Sequence, residues 1–207
     1  MFRRSVLFVL VACLAAPLVA QTPEGWRMRV DRSEHGEDPD DRPDLQVVTK
    51  GKGFQVTGGP AGTFWQPSHM ASGNYTARAT FTLIKPSGHT NYYGLIFGGS
   101  GLEGTSQAYT YFLVAQDGTY IIRKRTGETV TDVQRSTSHA AVKRPDATGR
   151  STNALELRAA GGNVSFVING TVVHTSPQSA VNTDGIVGVR VNHLLDVLVE
   201  DFQVNKT

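Results

Sequence analysis

The stretch from residue 153 to residue 204 constrains the fold more than any other part of the chain. Short runs of β-branched and apolar residues follow one another there, separated by turn residues. The clearest turn is Asn169-Gly170, which lies between the runs Val164–Ile168 and Thr171–His174. A two-residue hairpin of type I′ needs positive φ at both central positions, and Asn-Gly meets that need best. This block therefore predicts a hairpin within an antiparallel β-structure.

The preceding part of the chain continues the pattern. Between Tyr75 and Leu83 apolar and polar residues alternate strictly, so we expect one face of that strand to be buried and the other wet. The runs Tyr92–Phe97 and Tyr109–Ala115 are apolar on both faces, which is typical of central strands in a two-layer structure. Thr63–Trp65 reads as a short extended piece. Together these runs predict an all-β antiparallel sandwich.

The first twenty residues have the organisation of a secretory signal peptide. A basic start at Arg3 and Arg4 is followed by an apolar run and then by small residues up to Ala20. This order predicts cleavage after Ala20. We therefore expect a signal peptide over residues 1–20 and a single domain over residues 21–207, in a protein that is secreted or periplasmic.

Two other interpretations of this leader stay open. One is a membrane anchor, although the apolar run is short for a span and Pro17 interrupts it. The other is a lipoprotein acylated at Cys13, because Leu10-Val11-Ala12-Cys13 resembles a lipobox.

Removal of the leader also changes what the charge and cysteine content imply. The whole chain has 20 Lys+Arg and 18 Asp+Glu, and removal of Arg3 and Arg4 leaves 18 of each. A neutral chain has no basic field that would favour nucleic acid or an anionic membrane. Cys13 is the only cysteine, so the mature domain has neither a disulfide nor a thiol nucleophile.

The order of the predicted strands resembles that of the concanavalin A-like lectin and glucanase superfamily. Within it, the chain is most similar to secreted bacterial 3-keto-disaccharide hydrolase-like domains and laminin-G-like domains. The matching segments are Tyr93–Phe97, Tyr111–Val114 with Asp117-Gly118 and Tyr120, Asn153–Leu155, Asn169-Gly170, Gly185–Val189 and Glu200–Val204. The resemblance implies a jelly roll of two curved antiparallel sheets, with ligands on the concave face.

The chain departs from the catalytic patterns of these families. It has no E-x-D-x-x-E strand, the pattern that places two carboxyl groups on one face for retaining glycoside hydrolysis. The stretch Tyr92–Gly98 also lacks the asparagine and arginine that mark the corresponding strand of the 3-keto-disaccharide family. These departures favour a non-catalytic protein.

Aromatic residues and arginines are the candidates for carbohydrate binding. Sugars present C–H faces that stack on aromatic rings, while polar side chains bind their hydroxyl groups. The alternative is that the aromatic residues belong to the core and the arginines are solvated. The candidate residues are Trp65, Tyr92, Tyr109, Tyr111, Arg123 and Arg125.

A structural calcium is the candidate cofactor. The resemblance implies a calcium near the terminal strand, which makes Asp201 the candidate ligand, and an ordinary outward carboxylate is the alternative. Asp38-Pro39-Asp40-Asp41 offers clustered carboxylates of the kind that Ca²⁺ prefers, but it also fits a solvated acidic loop. The six histidines form no two-histidine motif at metal spacing, so the sequence predicts a chance scatter.

Three functional hypotheses remain. The leading one is a secreted domain that binds an oligo- or polysaccharide without cleaving it. The second is an enzyme of the same superfamily, a hydrolase acting on glycosidic bonds or a 3-keto-disaccharide-processing protein, whose catalytic residues the sequence does not reveal. The third is a laminin-G-like module that binds a protein partner.

Overall fold

The computed structural model describes residues 22–32 and 39–206, and within these ranges the chain forms fourteen β-strands. In chain order they are β1 (Arg27–Asp31), β2 (Gln46–Lys50), β3 (Gly53–Thr57), β4 (Ala61–Ala71), β5 (Tyr75–Lys85), β6 (Tyr92–Ser100), β7 (Ala108–Ala115), β8 (Thr119–Thr126), β9 (Thr129–Ser138), β10 (Ser151–Ala160), β11 (Asn163–Ile168), β12 (Thr171–Pro177), β13 (Gly185–Val191) and β14 (Asp196–Lys206). Short 3₁₀ turns occur at Pro39–Asp41 and Gln178–Ala180. The predicted signal peptide and Cys13 lie outside the described residues.

The strands form two seven-stranded sheets. Sheet A has the spatial order β1-β4-β13-β6-β7-β8-β9, and sheet B has the order β12-β11-β10-β5-β14-β3-β2. Every strand pair is antiparallel. The predicted all-β antiparallel sandwich is therefore confirmed.

The main hydrophobic core lies between the two sheets. The alternation predicted for β5 is present, because Tyr75, Ala77, Ala79, Phe81 and Leu83 are all buried while the residues between them are partly or fully exposed. Large rings from both sheets meet in this layer. Each fully buried aromatic side chain contributes roughly 1.5–3 kcal/mol to stability relative to an exposed one.

Sheet A is also buried on its other side, which we call the outer face. A second hydrophobic cluster lies there, formed by alternate residues that point away from sheet B. Leu102, in the loop between β6 and β7, packs into this cluster. Arg27 fastens the loop to β1 by an ion pair with Glu103, and Arg29 donates a hydrogen bond to the carbonyl of Gly104. The two-sided burial predicted for β6 and β7 is thereby confirmed.

The predicted hairpin at Asn169-Gly170 is present. The φ angles are 50° at Asn169 and 84° at Gly170, both in the left-handed region. The Asn169 side chain accepts a hydrogen bond from the backbone N–H of Ala154 at 2.9 Å and donates one to the carbonyl of Ala141 at 2.8 Å. Asn169 therefore closes the β11–β12 turn and ties it to the connection between β9 and β10.

One strand of the sandwich is longer than the sequence predicts. The extended piece predicted at Thr63–Trp65 is the middle of β4, which runs over eleven residues and pairs with both β1 and β13. Among the described residues, no helix has the length and apolar character needed to cross a membrane.

Candidate functional site

The residues predicted to bind carbohydrate lie on the outer face of sheet A. Trp65, Tyr109 and Tyr111 belong to the second hydrophobic cluster, and Tyr92 packs against it. Arg123 and Arg125 join them from β8, because Arg123 lies directly opposite Tyr111 and Arg125 opposite Tyr109 in the antiparallel register. Directly opposed residues share one face of a sheet. The fold therefore brings all six residues to the same side of the molecule.

These residues differ in how far a ligand could reach them. Trp65 is 2% exposed and Tyr109 is 3% exposed, so both form the floor of the outer face. The Tyr111 ring packs against Tyr109 with ring centroids 5.8 Å apart. Tyr92 is only partly buried, and the arginines at 123 and 125 keep part of their side chains in solvent. Tyr92, Arg123 and Arg125 are therefore the residues that a ligand could contact directly.

Arg190 is a buried polar residue of the outer face that the sequence analysis missed. It lies in β13, is 8% exposed, and donates through Nη1 to three oxygens. The acceptors are Asp31 Oδ2 at 2.6 Å, Thr63 Oγ1 at 2.9 Å and Tyr109 Oη at 3.0 Å. An arginine cannot lose its proton in a protein, so a buried one requires such partners. A charge inside the otherwise apolar run Gly185–Val191 is the sequence signal that could have revealed it.

Asp31 is the centre of this network and was not predicted either. Besides Arg190, its carboxylate lies 3.1 Å from Arg29 Nε and 3.7 Å from Arg125 Nη1. Its Oδ1 atom is buried and makes no hydrogen bond of good geometry. Three arginines from three strands thus converge on one carboxylate, which fixes the positions of their guanidinium groups.

A cleft opens beside this network at one end of the outer face. Its volume is about 500 Å³. Residues of β1, of the β6–β7 loop and of the β8–β9 hairpin line it, among them Arg29, Asp31, Arg32, Gln107, Arg125 and Glu128. Hydrogen-bond donors and acceptors of both charges therefore surround a space large enough for a sugar ring.

The other end of the outer face is bordered by hydroxyl groups. Tyr92 Oη lies 3.1 Å from Thr119 Oγ1 and 2.9 Å from Ser136 Oγ. Between the two ends, Arg123 donates to Asp132 at 2.6 Å. Burial raises the pKa of Tyr111, and the nearby Arg190 and Arg123 offset part of this rise. Tyr111 therefore stays a neutral hydroxyl group near neutral pH.

Asp201, the predicted calcium ligand, lies on the opposite side of the molecule. It interrupts the register of β14 with φ at 53° and lines a pocket with Arg78, Glu156 and Gln203. Within the described ranges, the one group of three metal-ligating side chains does not include it. Calcium binding by Asp201 stays a prediction.

The predicted scatter of the histidines is wrong for two of them. His89 and His193 come together with Asp40, and their ligand atoms all lie within 4.8 Å of one another. The residues come from three connections that are distant in sequence, so no short motif could have shown the cluster.

The structure resembles many solved structures, whereas the two sequence comparisons found no match. No protein-family model matches the chain, and no curated protein matches it. Among solved structures, the carbohydrate-binding module CBM66 from Bacillus subtilis superposes with a TM-score of 0.61 at 11% identity, covering 88% of this chain and 96% of that one.

Two further structures match at similar levels. The Ca²⁺-bound exoplasmic/lumenal domain of VIP36 gives a TM-score of 0.59 at 7% identity, over 88% of this chain and 84% of that one. A GH16 protein from the Bacteroides ovatus mixed-linkage glucan locus, in complex with product, gives 0.56 at 10% identity, over 88% and 96%. These are concanavalin A-like jelly rolls, and the chain has their fold, as predicted.

Proposed function

We propose that this protein is a secreted or periplasmic domain that binds an oligo- or polysaccharide on the outer face of sheet A without cleaving it. The observation that carries the proposal is that two tyrosines of β7, Tyr109 and Tyr111, lie directly opposite two arginines of β8, beside a cleft at the Asp31–Arg190 network. The similarity in fold to the carbohydrate-binding module CBM66 is consistent with the proposal.

The two kinds of side chain have complementary roles in sugar recognition. An aromatic ring offers a flat apolar surface to the C–H face of a pyranose or furanose, and a guanidinium offers several N–H donors to hydroxyl oxygens. Tyr92, Arg123 and Arg125 are the partly exposed members, so we assign them the direct contacts. Trp65 and Tyr109 lie beneath them and hold the surface rigid. A rigid site loses less conformational entropy when a ligand binds.

The ion pairing of the carboxylates favours binding over hydrolysis. Glycoside hydrolysis by the common mechanisms needs one carboxyl group that gives up a proton and a second that attacks or activates water. On the outer face, Asp31 is held by Arg190 and Asp132 is held by Arg123. Both carboxylates therefore serve to position arginines. Hydrolysis is the alternative function, because Glu128 lines the same cleft as Asp31.

The proposal is tested by affinity electrophoresis of the full chain in gels that contain neutral or acidic polysaccharides, followed by calorimetry with the oligosaccharide that retards it. Arg125→Ala and Tyr92→Ala should each weaken binding about tenfold or more, which corresponds to about 1.4 kcal/mol. Arg78→Ala is the matched control, because this arginine is exposed on the outer side of sheet B and donates hydrogen bonds to Gln203 there.

Three outcomes would contradict the proposal. Retention by no polysaccharide would refute carbohydrate binding and leave a protein-interaction module. Loss of binding in Arg78→Ala, with Arg125→Ala unaffected, would place the site on sheet B. Release of new reducing ends from the bound polysaccharide would show that the protein is a hydrolase.

Secretion and the calcium at Asp201 are parts of the proposal with tests of their own. The leader supports export, and a mature protein recovered outside the cytoplasm should begin at Gln21. An N-terminus at an acylated Cys13 would show a lipoprotein instead. For calcium, Asp201→Asn should lower the affinity measured by calorimetry, and unchanged affinity would remove Asp201 as a ligand.

A further inference from the structure

Three potential metal ligands meet at one corner of the sandwich, outside the proposed sugar site. His89 lies in the loop between β5 and β6, His193 in the loop between β13 and β14, and Asp40 in the 3₁₀ turn before β2. His89 Nε2 is 3.3 Å from His193 Nε2, and Asp40 Oδ2 is 3.6 Å from the first and 3.4 Å from the second. We call this group the Asp40–His89–His193 triad.

The size of this triangle fits one metal ion. Zn²⁺ binds imidazole nitrogen at about 2.0–2.1 Å, and the edge of a tetrahedron is about 1.6 times that length, or about 3.3–3.4 Å. The measured separations of 3.3, 3.4 and 3.6 Å match such an edge. Each residue contributes one potential ligand atom to the triangle, so three of the four positions around a tetrahedral ion could be filled. A fourth position stays open to water.

The ligand types select the class of metal. Two imidazoles and one carboxylate suit zinc and other divalent transition metals, whereas Ca²⁺ and Mg²⁺ prefer oxygen ligands. The three side chains are also accessible, with 52% of His89, 34% of His193 and 33% of Asp40 exposed. An ion can therefore enter from solvent without opening the core.

A neighbouring amide competes for one of the ligand atoms. Asn91 is 3% exposed, and its Nδ2 lies 3.1 Å from His89 Nε2 and 3.1 Å from Ser87 Oγ. The lone pair of His89 Nε2 cannot accept a hydrogen bond from Asn91 and bind a metal at the same time. Metal binding therefore requires that Asn91 keep only its bond to Ser87.

We propose that the Asp40–His89–His193 triad is a binding site for a divalent transition metal, with Zn²⁺ the preferred ion. The ion would join the segment that leads into β2 to two loops of the sandwich, in a domain that has no disulfide after export. The site also adjoins the outer face. Asn192, next to His193, accepts from Arg190 Nε at 3.1 Å and donates its backbone N–H to the carbonyl of Tyr92 at 2.9 Å.

The test is calorimetric titration of the full chain, without a histidine tag, with Zn²⁺. We expect one ion per chain. His89→Gln and His193→Gln should each weaken binding tenfold or more, since even the loss of a residue that only supports a ligand weakens metal binding 10–100-fold. His174→Gln is the matched control, because His174 is partly buried on β12 and bonds to Ser176, away from the triad. It should leave the affinity unchanged.

Two further measurements distinguish the loss of a metal ligand from a folding defect. Asp40→Asn replaces the carboxylate of the third ligand by an amide of the same shape and should weaken metal binding, and the thermal midpoint of the apo-protein, measured alongside, shows whether this variant is folded. Co²⁺ bound in place of Zn²⁺ should show the strong visible absorption of a tetrahedral site, and His193→Gln should abolish it. Zn²⁺ binding that is equal in all variants, or absent from the unaltered chain, would overturn the proposal. Neither result bears on carbohydrate binding, which is measured with metal-free protein and Arg125→Ala.

Discussion

Replacement of Arg190 by methionine should destabilise the protein severely, because it leaves the Asp31 carboxylate, whose side chain is only 13% exposed, without its main partner. Methionine has a similar volume and no charge. The change removes the 2.6 Å ion pair to Asp31 and the hydrogen bonds to Thr63, Tyr109 and Asn192. Breaking a buried pair by removing one partner costs about 3–5 kcal/mol. The lower end applies, since Arg29 and Arg125 still lie near Asp31.

The assay is urea unfolding of the full chain, followed by tryptophan fluorescence, with calorimetric melting as a second probe. A loss of about 3 kcal/mol corresponds to a fall of about 6–12 °C in the melting temperature of a domain of this size. Arg123→Met is the control on the same face. Its ion pair with Asp132 leaves about a third of each side chain in solvent, so the expected cost is about 0–1 kcal/mol.

A double-mutant cycle makes the prediction sharper. If Arg190 stabilises the fold by neutralising Asp31, then Asp31→Leu combined with Arg190→Met should cost clearly less than the sum of the two single changes. Additive costs would show that the two residues are not coupled. A cost for Arg190→Met no larger than that for Arg123→Met would refute the argument altogether.

Three other predictions concern the core, a turn and alkaline pH. Trp65→Ala should cost about 3–5 kcal/mol in urea unfolding, because the ring is 2% exposed within the outer-face cluster, and a loss below about 1 kcal/mol would contradict that packing. Gly170→Ala should cost about 1–2 kcal/mol through its positive φ alone, since a Cβ there meets nothing within 4 Å, whereas Gly88→Ala, equally open and without positive φ, should cost almost nothing. Burial raises the pKa of Tyr75, whose hydroxyl donates to the carbonyl of Thr183 at 2.7 Å. The unfolded chain therefore loses this proton at lower pH than the native protein does, so stability is complete below about pH 10 and falls as the pH rises further. Tyr75→Phe should flatten that fall in unfolding measurements at alkaline pH, and an unchanged slope would show that Tyr75 does not cause it.

The strands could be predicted because their signals are local. The alternation from Tyr75 to Leu83 and the Asn169-Gly170 pair each specify a backbone geometry within a few residues. The length of β4 could not be predicted from such local signals. That strand carries Gly62, Gln66 and Pro67 and becomes a strand because β1 and β13 pair with it on both sides. Its extension therefore depends on partners that are distant in sequence.

The residues of the candidate site show the same difference between local signals and contacts that are distant in sequence. Tyr109, Tyr111, Arg123 and Arg125 could be placed together because a short hairpin joins β7 to β8 and sets their register. Arg190 and Asp31 meet across 159 positions of the chain, and only the completed sheet brings them into contact. The same holds for the Asp40–His89–His193 triad. Contacts that only the sheet topology creates cannot be predicted from a short stretch of sequence.

The position of β1 at the edge of sheet A predicts two levels of stability for the protein. None of the five residues of β1 is buried, and as an edge strand it is paired on one side only, with β4. A sub-global opening in which β1 leaves β4 would carry away Arg29 and Asp31 while the layer between the sheets stays formed. On warming, ligand binding would then be lost at a lower temperature than the one at which the sandwich unfolds. A bound ligand would slow hydrogen exchange in β1 far more than in the central strands β6 and β7.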